Sequence, residues 1–465
     1  MSVIADGGPP ATAPQFVVVR PFAPPDPGPA AVSAVGAGLQ GTRAGAGIVR
    51  KVAAGVFAML GVLAGPATVA FPRPMPPDPH EFPLMVWDET PDDSAVLAGM
   101  ADAGLTVAGL CAPSQLATVR AAGLTCIVTD PALRAIDYDA PPPEPAIRAA
   151  VERLAPALRQ DPAALAVFLS DEPQQRELAA LGRVATLVRA RLQGMPVFVN
   201  LFPFRNGQRE WYRDYADYVA ALVRELHPSM LSFDNYSLSY AGMGDEFYSN
   251  LELVRSAALA GQIPFWSCVQ SVAHFGYLEP SDATLHLQVY AALAYGARGL
   301  EYFTYATPER GNYRSGALDP FGHLTPTWEM LRRINLEVAA LAPTLLGLES
   351  TGVYHYPDVP AHGTALERSP LVAGIDMSKD EDAFVPPSVA ARFLVGEFRD
   401  PRDRKYLMIV NKDLVYSFRF DVRLRLPGAS IVRVSPYTGA EEPLDGEQPW
   451  LAPGGGVLLR VSWPP

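Results

Sequence analysis

Short apolar runs alternate along this chain with longer stretches of helical periodicity. From residue 83 the runs at 84–88, 105–110, 124–129, 166–170, 197–201, 230–234, 264–269 and 299–304 are continuously apolar rather than alternating in polarity. That is the pattern of strands buried on both faces of a parallel sheet. Helical patterns lie between them at 93–103, 146–159, 174–192, 210–226, 245–259 and 283–295, and a last one covers 327–341. Eight strand–helix units of this kind predict an α/β fold, a closed (β/α)8 TIM barrel over 83–345. A doubly wound open sheet is the runner-up, but it favours a Gly-rich phosphate turn after the first strand. Trp87-Asp88-Glu89-Thr90-Pro91 stands there instead. After residue 350 the texture changes: 392–397, 405–411, 419–426, 431–435 and 456–461 read as short strands divided by Gly, Pro and Asp turns. They predict a small antiparallel β-sandwich over 350–465.

The start of the chain has no such order. Residues 1–47 are rich in Pro, Ala and Gly and lack hydrophobic periodicity, so they cannot bury enough apolar surface to offset chain entropy and are expected to be disordered. Within 48–70 come Arg50-Lys51, an apolar run at 52–65 and the small-residue stretch Ala67-Thr68-Val69-Ala70, the order of a secretory signal peptide. The run is short for a membrane span. Because a signal peptide begins a chain, we read 1–47 as a gene-model extension, with translation starting near residue 48; a tethered or buried hydrophobic helix is the alternative. Residues 71–82 (FPRPMPPDPHEF) read as an extended Pro-rich lead-in. The expected location is periplasmic or secreted, without stable membrane insertion once the signal is cleaved.

Composition narrows the partners. The formal net charge is −12, with 37 Lys+Arg against 49 Asp+Glu, so no positive field gathers nucleic acid or an anionic membrane. No lysine lies between Lys51 and Lys379, which excludes Schiff-base chemistry inside the barrel. The histidines, His80, His227, His274, His286, His323, His355 and His362, are scattered singly, and no Cys/His cluster has zinc spacing; neither a metal nor another cofactor is expected. Cys111, Cys126 and Cys268 all sit in apolar runs and read as buried free thiols.

Catalytic groups of such barrels sit after the C-terminal ends of the strands. Those ends carry Trp87, Asp88 and Glu89; Asp171, Glu172 and Pro173; Asn200; Asp234, Asn235 and Tyr236; Trp266 and Gln270; and Glu301, Tyr302 and Tyr305, with His274 close behind strand seven. Flat aromatic faces beside carboxylates and amides suit polyols with apolar ring faces. Hydrolysis of a glycosidic bond requires two carboxyl groups, one protonated to help the leaving oxygen and one ionised. Structural alternatives stand beside each reading. Asp171-Glu172-Pro173 also reads as a helix cap, Asp234-Asn235 as a turn, Glu301 as a buried acid paired with Arg298, and the aromatics as core. The Asn235-Tyr236-Ser237 sequon falls at the expected mouth and is expected to carry no glycan.

The segments FLSDEPQ at 168–174, FVNLFPF at 198–204, LSFDNYS at 231–237, PFWSCVQS at 264–271 and LQVYAALAYGARGLEYFTYATP at 287–308 resemble clan A glycoside hydrolase barrels, above all family-42-like β-galactosidases and their bacterial relatives. The resemblance covers roughly 83–345, and it implies a glycosidase with an appended β-sandwich. Glu172 matches the position of the clan's acid/base Glu after strand four. The clan's nucleophile, a Glu ending strand seven, has no counterpart: Val269-Gln270-Ser271 occupies that place. Either Asp234 or Glu301 serves instead, or the strand count is shifted, or the barrel binds sugar without cleaving it. The expectation is therefore an exported, metal-independent glycosidase acting on an oligosaccharide or polysaccharide. Glu172 would be paired with Asp234 or Glu301, and Trp87, Asp88, Asp171, Asn200, Asn235, Tyr236, Trp266, Gln270, His274, Tyr302 and Tyr305 would bind substrate. The alternative is a noncatalytic carbohydrate-binding barrel.

Overall fold

The structure is a computed structural model that describes residues 75, 80–159, 161–376, 389–444 and 449–463. The Pro/Ala/Gly-rich segment, the signal-peptide reading and most of the lead-in lie outside the described residues. Among the described residues no helix is long and apolar enough to cross a membrane.

Eight parallel strands close into a barrel: β1 (Leu84–Val86), β2 (Val107–Cys111), β3 (Thr125–Val128), β4 (Ala164–Asp171), β5 (Val197–Leu201), β6 (Leu231–Phe233), β7 (Phe265–Gln270) and β8 (Leu300–Phe303). Each overlaps a strand expected from the sequence, and β1 closes the ring against β8. The helices that follow them include α1 (Ser94–Asp102), α2 (Leu116–Ala121), α3 (Pro131–Arg134), α4 (Glu144–Leu158), α5 (Leu178–Arg191), α6 (Tyr215–Leu226), α7 (Asp245–Gly261), α8 (Asp282–Ala294) and α9 (Pro326–Leu345). Their starts follow the side chains that satisfy the first free N–H groups. Asp93 accepts from Ala95 N at 2.7 Å and Val96 N at 3.2 Å, Asp214 accepts from Asp217 N at 3.0 Å, and Ser281 accepts from Thr284 N at 3.2 Å. A cap of this type contributes about 1 kcal/mol.

Strand alternation divides the apolar residues between two layers. Met85, Val107, Ile127, Ala166, Phe198 and Trp266 fill the interior, while Leu84, Val86, Val167, Val199, Phe233 and Tyr302 meet the helices outside. Met75 of the lead-in joins Met85, Met230 and Trp266 in the interior cluster. Gly299 has to be glycine, since a Cβ there would lie 2.7 Å from the Trp266 indole.

The expectation of three free thiols is wrong for two of them. Cys111 and Cys126 form a disulfide, with Cα atoms 6.2 Å apart, and only Cys268 is free. Both bridged residues lie on the outer face of the neighbouring strands β2 and β3, beneath the helices, at a spacing a disulfide spans. An apolar run looks the same around a thiol and a half-cystine, so the pattern hid the pairing.

Beyond the barrel lie β9 (Glu349–Tyr356), β10 (Val372–Asp376), β11 (Phe393–Arg399), β12 (Lys405–Asn411), β13 (Phe418–Arg419), β14 (Asp421–Leu424), β15 (Ser430–Val434), β16 (Glu441–Pro443), β17 (Trp450–Leu451) and β18 (Gly456–Ser462). Six form one sheet in the order β9-β11-β12-β18-β15-β16, and the pairs β10–β14 and β13–β17 form two ribbons. One face of the six-stranded sheet closes a second core with Phe393, Val395, Leu407, Ile409, Phe420 and Leu459. Its other face, with Leu394, Met408, Val410 and Leu458, joins the barrel's outer core. This explains why α8 is apolar all round: ten of its thirteen residues are buried, because strands lie on one side and the sheet on the other. At Gly396 of β11 a Cβ would run into the Ala294 carbonyl, so glycine is needed for this close approach.

Candidate active site

The acids gather at the C-terminal mouth because the strand ends carry them inward. Along β4 the register against β5 shifts between Phe168 and Ser170, which brings Asp171 opposite Asn200. Asn200 is 2% exposed and serves two acids at once: its amide Nδ2 donates to Asp171 Oδ1 at 3.1 Å and to Asp234 Oδ1 at 2.9 Å. Its own oxygen accepts from Ser232 Oγ at 2.9 Å, which fixes the orientation of the amide. Ser232 and Asp234 stand two residues apart and point the same way, as strand alternation requires.

Glu172 follows with φ of 49°, a left-handed conformation that costs a non-glycine residue on the order of 1–3 kcal/mol. Its N–H donates to Asn200 O at 2.8 Å, and its carbonyl accepts from Trp211 Nε1 at 3.3 Å. The next carbonyl, Pro173 O, accepts from Tyr218 Oη at 2.6 Å. The capping alternative fails on geometry. A 3₁₀ turn begins only at Gln175, and there the Gln174 N–H donates to Glu177 Oε2 at 2.6 Å.

The three carboxyl groups influence one another's ionisation. Desolvation first, then the charges of Asp234 and Asp171, push the Glu172 carboxyl well up, against a weaker opposing pull from Arg205. Asp171 is also raised, by desolvation and by Asp234, against the Asn200 hydrogen bond and the charge of Arg134, but it is exposed to solvent, which weakens the effect of desolvation. Asp234 is raised by burial, but its anion is favoured by the Asn200 amide, the Tyr236 hydroxyl and Arg205. No hydrogen-bond donor among the described residues favours the Glu172 anion in this way. Burial thus favours the neutral form of both groups, and hydrogen bonds oppose it at Asp234.

The floor of the mouth is aromatic. Trp87, half-buried, lies 6.1 Å from Phe168 and 5.7 Å from Phe198, and Phe198 lies 6.2 Å from Trp266. Asp88 sits beside Trp87 with its carboxyl pushed by burial up to about 7, against a hydrogen bond from Glu89 N.

Several candidate residues lie elsewhere. Glu301 faces the interior, fully buried, and burial raises it to about 8 against the opposing effect of the Ser232 hydroxyl. Asp234 and Asp171 affect it electrostatically. The Arg298 pairing read as its alternative is absent, because that guanidinium donates to the carbonyls of Leu346 and Leu348. Trp266 is 0% exposed at the lower end of the interior, and so cannot meet a ligand at the mouth. Tyr302 points outward and donates to Asn335 Oδ1 at 2.6 Å in α9. Tyr305 is buried near Gly99 of α1. Asn235 accepts from Ser237 Oγ, a turn contact. Gln270 is held by its neighbours: its N–H donates to Gln288 Oε1 at 2.8 Å and its Nε2 to Leu278 O at 2.9 Å. His274 is buried, its Nδ1 bonds Val272 O at 3.2 Å, and burial holds its pKa down.

Ser232 and Arg205 were not singled out in the sequence. Ser232 was readable as the inward residue two before Asp234; Arg205, in the loop after β5, carried no such signal. Among the described residues no cluster of His, Cys, Asp and Glu has the geometry to hold a metal ion.

No family model matches the chain, and no curated protein matches it in sequence. Solved structures do match. A GH42 β-galactosidase from G. stearothermophilus superposes with a TM-score of 0.51 at 9% identity, over 84% of this chain and 99% of that one. A glycoside hydrolase family 5 from Bacteroides vulgatus gives 0.48 at 11% identity, over 82% and 90%. A β-galactosidase from the psychrophilic Marinomonas ef1 gives 0.45 at 13% identity, over 58% and 62%. The chain thus spans only about three fifths of the length of that enzyme and of the Halorubrum lacusprofundi β-galactosidase, 62% and 58%. At these identities the likeness is one of fold, and the fold of this chain is the (β/α)8 barrel of solved glycoside hydrolases, extended by an antiparallel β-sandwich.

Proposed function

We propose that this chain is an exported glycoside hydrolase in which Glu172 is the general acid and Asp234 its carboxylate partner. The observation that carries the reading is that the buried Asn200 amide holds Asp171 and Asp234 together, and that the charges of both act on the Glu172 carboxyl next to Asp171. Glu172, protonated near neutral pH, delivers its proton to the glycosidic oxygen as the bond to the anomeric carbon breaks. Asp234, ionised, attacks that carbon or takes a proton from the water that does. Asn200 and Tyr236 hold its charge in place, and Ser232 holds Asn200. Asp171 orients the same amide from the other side. Trp87 supplies an apolar face over the floor. The tests are reducing-end release from a panel of plant, microbial and capsular glycans, and the anomeric configuration of the first product by NMR.

A second reading, a barrel that binds glycans without cleaving them, is favoured by one observation: an amide, Gln270, stands at the end of β7 where the resembled clan carries its nucleophile. The same screen separates the two, since binding without release supports the second.

Export is supported by the order of basic, apolar and small residues within 48–70 and by the Cys111–Cys126 disulfide, a bond that persists in oxidising compartments. Mass spectrometry of the N-terminus of the secreted or periplasmic protein tests it.

A further inference from the structure

We propose that Phe275, on the loop after β7, is a stacking platform for a pyranose ring, forming a glycan subsite beyond the acids. This rests on the glycan reading above and extends it to substrates longer than a monosaccharide unit at Asp234. Phe275 is 71% exposed, and its φ of 48° is a left-handed conformation that a phenylalanine adopts only at a cost. The loop is built to keep it there. Asn312, in the loop after β8, holds the Phe275 backbone from both sides: its Oδ1 accepts from Phe275 N at 2.7 Å and its Nδ2 donates to Phe275 O at 2.8 Å. Beneath, His274 stacks on Tyr313 at 5.1 Å with rings 8° from parallel, and it lies 5.3 Å from Phe303.

Three loops are laced into this one wall. Ala273 and Arg314 exchange backbone hydrogen bonds at 2.9 and 3.0 Å, and Leu278 N donates to Leu238 O at 3.1 Å. Glu279 pairs with Arg314 and accepts from the hydroxyl of Tyr240, a second ring that is 71% exposed, at 3.0 Å. A fold seldom spends this much bonding to hold an apolar ring in water; a flat apolar face beside a carboxylate, a guanidinium and a phenol suits a pyranose with its equatorial hydroxyls.

The wall is continuous with the acids. Tyr236, whose hydroxyl favours the Asp234 anion, lies 5.3 Å from His274, and His274 lies 5.3 Å from Phe275. With the His274 ring standing between Tyr236 and Phe275, a ring stacked on Phe275 is read as a further unit beyond the one at Asp234.

The test is native electrophoresis of the full chain through gels holding galactan, xylan, mixed-linkage β-glucan or galactomannan. It compares the parent with Phe275→Ala, Asn312→Ala and Glu172→Gln, with melting temperatures checked in parallel. At least one polysaccharide should retard the parent and Glu172→Gln alike. Phe275→Ala should bind that polysaccharide roughly tenfold more weakly, about 1.4 kcal/mol, and Asn312→Ala should fall between. Equal retardation of Phe275→Ala and the parent would overturn the platform, as would retardation of neither on any gel. Retardation that Phe275→Ala loses, with no hydrolysis by the parent, would keep the platform and defeat the catalytic reading. Hydrolysis with Phe275→Ala retarded like the parent would do the reverse.

Discussion

Asp234 accepts a hydrogen bond from the Asn200 amide at 2.9 Å, and the same nitrogen serves Asp171 at 3.1 Å. A single buried amide thereby holds acids from β4 and from the end of β6 in one place. Removing it leaves Asp234 without one of the groups that favour its anion. Asn200→Ala should lower kcat/KM about tenfold or more. Because the lost bond had lowered the Asp234 pKa, the acid limb of the pH profile should move to higher pH. A pH–rate profile of the variant checks this; an unmoved acid limb would remove Asn200 from the account.

The neutral acid inside the barrel gives a prediction about stability. Glu301 has a folded pKa of about 8 against an ordinary 4.5, so the folded state holds a proton that the unfolded chain releases. As pH rises from 4.5 to about 8 the folded state loses stability from this group, and above that range the penalty is constant. Glu301→Gln, which cannot ionise, should therefore gain stability relative to the parent on going from pH 5 to pH 8, on the order of a few kcal/mol. Urea unfolding at the two pH values measures the difference; a gap that does not grow would show Glu301 to be ionised or solvated.

Thiol counting tests the cysteine arrangement. Under native conditions no thiol should react, because Cys268 is buried; denaturation without reductant should release one and with reductant three. The Cys111–Cys126 bridge closes a separation of 15 residues, for which loop entropy gives roughly 3 kcal/mol. Replacing both by Ser should lower stability by about that amount, read as a shift in the guanidinium midpoint.

How much of this was legible in the sequence follows from what alternation can and cannot encode. The eight strands stood out because each is a continuous apolar run, and the acids stood out because Asp171, Glu172 and Asp234 interrupt such runs at their ends. Which way an aromatic points was hidden for the same reason: a barrel strand is apolar on both faces, so Trp266 in the interior, Tyr302 on the outside and Trp87 at the mouth look equivalent. Four strands of the sandwich escaped: β9 and β10 because polar residues such as Glu349, His355 and Asp376 break them up, and β16 and β17 because they are only three and two residues long. The bond between Cys111 and Cys126, and the place of Arg205 beside Glu172 and Asp234, depend on the registry of neighbouring strands and on a loop's path, which no local pattern carries.

The central claim is that Glu172 and Asp234 act together on one glycosidic bond. The most direct measurement is the initial rate of reducing-end release by the parent, Glu172→Gln and Asp234→Asn on the glycan the screen identifies, with melting temperatures recorded beside the rates. The account predicts that each substitution lowers kcat by about 10²-fold or more while the protein stays folded. A Glu172→Gln variant that turns over at the parental rate would contradict it.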